Sequence, residues 1–155
     1  MASAHREVRI DRPADVVFDF LADGTNNPKW QPAVVDAGSD EAAPRVGATY
    51  RQSVRHPLGF RVPAGYRLTV FERPRRLAFE VSSGGPLRPT GTFELSAVTP
   101  TATDVRYTLA YRPRGWATLA TPLMPIVNLL FRWQTSWLRN VKTTLGARSP
   151  QPPAG

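Results

Sequence analysis

The amino-acid sequence predicts an α+β domain in which seven antiparallel strands are covered by one long C-terminal helix. Three observations carry this prediction. Apolar residues recur at helical spacing from Leu119 to Leu145, strand-like alternation fills the chain from Ala33 to Arg112, and no helical period interrupts that run of strands. In the last strand, Val105, Tyr107, Leu109 and Tyr111 alternate with Arg106, Thr108, Ala110 and Arg112, the pattern of an antiparallel sheet with one wet face.

The terminal segment from Trp116 to Leu145 is the stretch around which the rest is arranged. At 100° per residue, Leu119, Leu123, Ile126, Val127, Leu130, Phe131, Trp133, Trp137, Leu138, Val141 and Leu145 fall in one arc of about half the circumference. Asn128, Arg132, Thr135, Ser136, Arg139 and Thr143 fall opposite. So wide an apolar face predicts a large apolar partner. Gln134 interrupts it, and an unpaired buried amide costs roughly 1–3 kcal/mol, so a strand side chain, a water or a ligand should bond it. Thr121, Pro122 and Pro125 mark the start, because proline is tolerated where first-turn N–H groups lack partners. The regular helix is expected from Pro122 or Pro125 to Leu145, with Gly146 as its stop. Gly115 to Phe131 carries no charge, but its prolines and polar residues and the lack of a second span argue against a membrane-crossing helix.

The other elements follow in order. Glu7 to Asp11 alternates as a first strand, with Val8 and Ile10 on one face. Residues 13–22 form a short helix: Pro13 suits its first position, Asp15 its positive dipole end, and Val17, Phe18 and Leu21 make an apolar stripe. Asp23 to Pro32 is a polar turn, with room for one short helical turn, in which Trp30 plugs an edge of the core or walls a pocket mouth. Val34 to Asp40 is a weak strand. In Val46 to His56, Tyr50, Gln52, Val54 and His56 face inward and Arg51, Ser53 and Arg55 outward. Pro57 to Pro63 is an irregular connection exposing Leu58 and Phe60. Tyr66, Leu68 and Val70 point inward from the next strand, and Leu77, Phe79 and Val81 from the one after it. Ser82 to Gly91 is a hairpin loop; it lacks the lysine and following helix of a phosphate-binding loop. Thr92 to Val98 and Thr103 to Arg112 close the sheet through a turn at Thr99-Pro100-Thr101. One domain is expected over residues 1–146, with a disordered proline-rich tail at 147–155.

Composition limits the chemistry. A chain of 155 residues with 41% hydrophobic and 10% aromatic content is long enough for a core. It has no cysteine, which removes disulfides, thiolate metal sites and cysteine nucleophiles. The first residues lack the apolar core of a secretory signal, so a cytoplasmic location is expected. The net charge of +8 is almost all arginine, and with abundant Ala, Pro and Gly it reads as the bias of a GC-rich bacterial genome. Such a field favours anionic ligands, acidic partners or anionic membranes, or serves solubility alone. Nucleic acid is not an expected partner, because the aromatics mostly have inward parity and are withdrawn from base stacking. Two distant histidines and scattered carboxylates offer no metal-ligand spacing, and no cofactor is expected.

Residue-level resemblance enters at Val8-x-Ile10-x-x-Pro13-Ala14-x-x-Val17-Phe18-x-x-Leu21-x-Asp23, followed by Asn27 and Trp30-x-Pro32. This opening, together with the Glu72-Arg-Pro-Arg-Arg-Leu77 turn, resembles the START-like (SRPBCC) superfamily, which includes polyketide cyclase/dehydrase-like proteins, over about residues 6–146. The resemblance implies a helix-grip fold, a sheet curved around the final helix, and a hydrophobic cavity between them. It does not imply one activity, since the superfamily holds lipid and sterol carriers, hormone receptors and aromatase/cyclases.

Two functions are compatible with these residues. As a binding protein, the chain would hold a small hydrophobic or amphipathic molecule (a lipid, polyketide or terpenoid-like compound) between sheet and helix. Leu130, Phe131, Trp133, Trp137 and Leu138 would wall it, with Leu68, Phe79 and Leu109 opposite and Tyr50, Gln52, Tyr66, Tyr107, Tyr111 and Gln134 fixing its orientation. Each of these residues equally suits ordinary core packing. As an enzyme, a cyclase, dehydratase or isomerase would need a positioned base, and His56 at a strand end is the candidate, against the alternative of an exposed histidine before a proline. A further reading has the basic surface making weak contact with an anionic membrane, with Leu58, Phe60, Trp116 and Leu119 lining an entry route. The sequence leaves the oligomeric state open.

Overall fold

The computed structural model describes residues 2–55, 58–82, 88–111, 119 and 122–147. His56, Trp116, most of the loop after Ser82 and the proline-rich tail lie outside them. Strand β1 (Ala2–Ile10) leads to helix α1 (Ala14–Ala22) and a 3-10 helix (Gly24–Lys29). Strands β2 (Val34–Gly38), β3 (Thr49–Arg55), β4 (Arg61–Pro63), β5 (Tyr66–Glu72), β6 (Arg76–Val81), β7 (Thr90–Thr99) and β8 (Ala102–Tyr111) follow, then α2 (Met124–Ser136) and α3 (Leu138–Ala147). All pairings are antiparallel, in the order β1-β8-β7-β6-β5-β3-β2, with the short β4 added beside β3. The expected seven strands thus form a curled sheet, the helices cover its inner face, and β4 occupies part of the connection read as irregular.

The local reasons are visible residue by residue. Pro13 caps α1, Asp15 lies in its first turn, and Val17, Phe18, Phe20 and Leu21 are buried. Asp23 then accepts a hydrogen bond from the Thr25 amide (3.0 Å), which turns the chain into the 3-10 helix. The first strand begins five residues earlier than alternation suggested, because β8 extends to Tyr111 and pairs with β1 back to Ala2. His5 lies exposed in that extension. Along β5, the register shifts between Leu68 and Val70. This irregularity reverses the parity beyond it: Phe71, not Val70, turns inward and meets Phe18 edge-on at 5.1 Å.

The C-terminal helix is present, but in two segments. At Trp137 (φ −67°, ψ −13°) the backbone stays right-handed while the Trp137 and Asn140 amides bond three residues back, so a single tighter turn joins α2 to α3. Helix α3 runs through Gly146 to Ala147, beyond the expected stop. Side chains pin both segments: Asn128 Oδ1 accepts from the Ser3 amide (2.7 Å), Asn140 Nδ2 donates to the Trp30 carbonyl (2.9 Å), Thr144 Oγ1 to the Lys29 carbonyl (3.2 Å), and Arg12 to the Leu145 carbonyl (2.8 Å).

The broad apolar arc of this helix does not all face the sheet. Helix α2 packs chiefly on β1 and less on β8, through Met124, Val127, Phe131 and Thr135. Leu119, Leu123, Ile126, Leu130 and Trp133, expected against the sheet, are exposed instead. Thr135, expected on the polar side, is buried with its hydroxyl donating to the Arg132 carbonyl (3.1 Å). The helix carries two apolar faces about 130° apart, and a periodicity argument averages them into one wide face.

Candidate functional site: an aromatic face with a polar corner

Five strands contribute one inward ring each, and the rings make a continuous row. Tyr50 (β3) stacks on Tyr66 (β5) at 5.4 Å; Tyr66 meets Phe79 (β6) at 5.1 Å; Phe79 meets Phe93 (β7) at 6.3 Å; Phe93 stacks on Tyr107 (β8) at 4.3 Å. Alternation places each residue on the concave face, and register aligns them: Leu68 opposes Phe79, Phe79 opposes Gly91, and Phe93 opposes Tyr107. Gly91 is needed here, because a β-carbon would overlap the Phe79 ring. Trp30 lies across the row, edge-on to both Phe93 (6.1 Å) and Tyr107 (6.0 Å).

The 3-10 helix adds a polar corner. Asn27, buried, donates through Nδ2 to the Tyr66 hydroxyl (2.8 Å) and to Gln52 Oε1 (3.0 Å). Gly24 lets this helix approach so closely, since a β-carbon there would come within 2.6 Å of the Tyr50 ring and would overlap the Tyr66 hydroxyl. Burial raises the pKa of Tyr66 well above the ordinary tyrosine value, opposed in part by the Asn27 hydrogen bond. Burial also raises Tyr107, with the Tyr66 hydroxyl adding to the effect, and raises Tyr50, with the negative charge of Asp23 adding to it. These phenols therefore stay protonated and act as neutral hydrogen-bonding groups.

One buried polar atom in this region has no partner among the described residues. The Trp30 indole Nε1–H, on a residue 2% exposed, has no acceptor among the described residues. The buried Tyr107 ring adjoins it. Native interiors leave few such groups orphaned, because each costs roughly 1–3 kcal/mol.

The sequence-derived candidates separate into three groups. Tyr50, Tyr66, Phe79 and Tyr107 come together in the row, with Gln52 joined through Asn27. Leu68, Leu109, Tyr111, Phe131, Trp137 and Leu138 are buried in the same core cluster. Leu130 and Trp133 are exposed on the second face of α2, with Trp133 edge-on to Trp137 at 4.8 Å. Gln134 is half-buried and its amide makes no hydrogen bond to a described residue, so the partner expected for it is not supplied by a strand. His56 is outside the described residues. Asn27 and Phe93 were not among the sequence-derived site residues, and Trp30 was expected as a core plug or the wall of a pocket mouth. Strand parity would have found Phe93; nothing local marked Asn27 as buried.

Strand ends place the neighbouring elements. Ala2 pairs with Tyr111, Thr90 with Ala110, Tyr66 with Val81, and Val54 with Val62, while Asn128 holds α2 to Ser3. The N-terminal half of α2, Leu58 and Phe60 therefore lie towards one end of the sheet, opposite the end closed by α1 and the turn at Arg73-Pro74. No group of His, Asp and Glu among the described residues could hold a metal ion, and no described helix is long and apolar enough to cross a membrane.

Comparison with known proteins agrees with this architecture. The chain of the di-domain ARO/CYC BexL from the BE-7585A biosynthetic pathway is 23% identical, with a TM-score of 0.67 over 97% of the present chain and 48% of that one, so this chain spans about half its length. The ZhuI aromatase/cyclase from Streptomyces sp. R1128 is 15% identical, with a TM-score of 0.78 over 96% of both chains. A START superfamily protein from Mycobacterium smegmatis is 14% identical, with a TM-score of 0.69 over 96% and 97% of the two chains. At these identities the likeness is one of fold. No curated protein sequence matches the chain. The profile of one family, described as polyketide cyclase / dehydrase and lipid transport, matches residues 1–146. The helix-grip architecture and this match over nearly the whole chain place the protein in that polyketide cyclase/dehydrase and lipid transport family.

Proposed function

We propose that the protein binds a small hydrophobic or amphipathic molecule, of lipid, polyketide or terpenoid type, against the row of aromatic rings between the sheet and the C-terminal helix. The observation that carries this reading is the buried, unpartnered Trp30 Nε1–H, on a ring edge-on to Tyr107 at 6.0 Å. A ligand oxygen accepting from this indole N–H would satisfy it, with the adjoining Tyr107 hydroxyl as a second donor, while its apolar body lies on Phe79, Phe93 and Tyr66. The oxygen must be neutral, a carbonyl or hydroxyl, because the buried polar side chains among the described residues are Asn27, Thr103 and Thr135 and none is charged. The Asn27–Tyr66–Gln52 corner supplies a second polar contact. Family membership and the fold shared with aromatase/cyclases support a small-molecule site.

A cyclisation reaction is the second reading. Protonated tyrosines next to a bound polyketone can donate to a developing enolate oxygen, which is half of what an aldol closure needs. The other half is a base, and His56 remains the candidate for it.

Native mass spectrometry of protein purified from its host tests the proposal. One apolar adduct per chain, bearing a carbonyl or hydroxyl group, is the expected result; a chain that stays empty with every hydrophobic compound offered would refute it. Incubation with the adduct's biosynthetic precursor then separates the two readings. A precursor released unchanged indicates a carrier, and loss of water with ring closure indicates a cyclase.

A further inference from the structure

We infer that the exposed apolar face of α2 docks on the surface of an anionic lipid bilayer. Leu123, Ile126, Leu129, Leu130 and Trp133 fall within about 120° of one another around the helix axis, and Ile126, Leu129 and Trp133 are 58%, 66% and 53% exposed. This is not an unfinished core. The sheet-facing side of the same helix is already complete through Met124, Val127, Phe131 and Thr135, so the second face serves something outside the domain. Five large apolar side chains in one stripe exceed the scatter of single hydrophobics on an ordinary surface.

Charge selects the occupant. From Val105 to the C-terminus the sequence contains Arg106, Arg112, Arg114, Arg132, Arg139, Lys142 and Arg148 and no aspartate or glutamate. On the two helices, Arg132, Arg139 and Lys142 are exposed, and none forms an ion pair with a described residue. Arg132, three residues after Leu129 on α2, lies along one flank of the stripe, and Arg139 follows on α3. An apolar stripe with a cationic flank and an indole is the make-up of a helix lying in a membrane interface, where lipid phosphates meet the arginines and the acyl boundary takes the leucines. A second copy of the chain fits less well, because a two-fold contact through this face would bring the same cations together with no carboxylate on either helix. The inference does not depend on the pocket: Ile126 and Leu129 are not assigned to it.

Co-sedimentation of the full chain with vesicles tests this. The chain should bind mixed phosphatidylcholine–phosphatidylglycerol vesicles at low salt, bind pure phosphatidylcholine vesicles more weakly, and come off as salt screens the arginines. An Ile126→Gln, Leu129→Gln variant should lose at least about ten-fold in partition coefficient, with an unchanged melting curve and unchanged ligand adduct. An Arg132→Gln, Arg139→Gln variant should keep weak binding and lose its preference for the anionic lipid. Absence of sedimentation with the anionic vesicles at low salt would overturn the inference, and so would equal binding by wild type and both variants. A concentration-dependent dimer abolished by the apolar variant, without vesicle binding, would instead make this face a self-interface.

Discussion

Removing the Asn27 amide separates a functional polar corner from a tolerated accident of packing. Asn27→Ala deletes two hydrogen bonds at once, to the Tyr66 hydroxyl (2.8 Å) and to Gln52 Oε1 (3.0 Å). Each bond contributes about 1 kcal/mol net, and leaving the buried Tyr66 hydroxyl without a partner costs about 1–3 kcal/mol more. Gln52 is only half-buried and recovers its bond with solvent, so the total comes to about 2–4 kcal/mol. For a chain of this size that lowers the melting temperature by roughly 5–15 °C. Tyr66→Phe removes the other partner, and once it is gone the Asn27 substitution should cost less. Urea unfolding of wild type, both single variants and the double variant gives the coupling directly, expected at about 1–2 kcal/mol. Additive costs, within about 0.5 kcal/mol, would refute the claim that this contact holds the 3-10 helix against the sheet.

Three other expectations follow from the same packing. Gly24→Ala forces a β-carbon against the Tyr50 ring and the Tyr66 hydroxyl and should destabilise by about 1–3 kcal/mol in denaturant unfolding; a neutral result would show that the 3-10 helix can move outward freely. Trp137→Ala should cost about 3–5 kcal/mol and Trp133→Ala much less, because Trp137 is buried and Trp133 exposed; equal costs measured by thermal melting would return both to one face. The raised pKa values of Tyr50, Tyr66 and Tyr107 fix the sign of an alkaline transition. The unfolded chain ionises these phenols near the ordinary value of about 10 while the folded one keeps them protonated. Their contribution is therefore full below pH of about 10, and above it is lost at up to about 1.4 kcal/mol per group per pH unit. Ultraviolet titration should show these three tyrosines ionising only with unfolding, and their smooth ionisation near a pH of about 10 in the folded protein would contradict it.

Most of the architecture was legible because its signals are periodic. Alternation along β8 and β6 marked Tyr107, Leu109 and Phe79 correctly as inward, and the Pro13 to Leu21 pattern located α1. Two features escaped for physical reasons. The irregularity after Leu68 inserts one residue in β5, and no residue type there announces it, so Val70 and Phe71 exchanged faces. The two apolar faces of α2 sum to one broad moment, and only contact with β1 shows which face is covered. Trp30 was legible as a buried plug, since an indole in an irregular segment needs a place to go, but its unpartnered N–H is a property of three-dimensional neighbours. Asn27 lay hidden in a polar turn where asparagine ordinarily signals solvent; its burial depends on Gly24 and on Tyr66, distant in sequence.

The indole N–H of Trp30 is the group that a ligand bound on the aromatic row would engage. A nitrogen–proton correlation spectrum of the labelled protein contains four tryptophan indole signals, and Trp30→Phe assigns the one of interest. Without ligand, that signal should have the chemical shift of an indole proton free of a hydrogen bond. Addition of the molecule extracted from the native host should move it downfield and saturate at one equivalent, with Tyr107→Phe weakening the effect. A Trp30 signal that stays in place while the same molecule binds at saturation would contradict the account and put the ligand elsewhere on the domain.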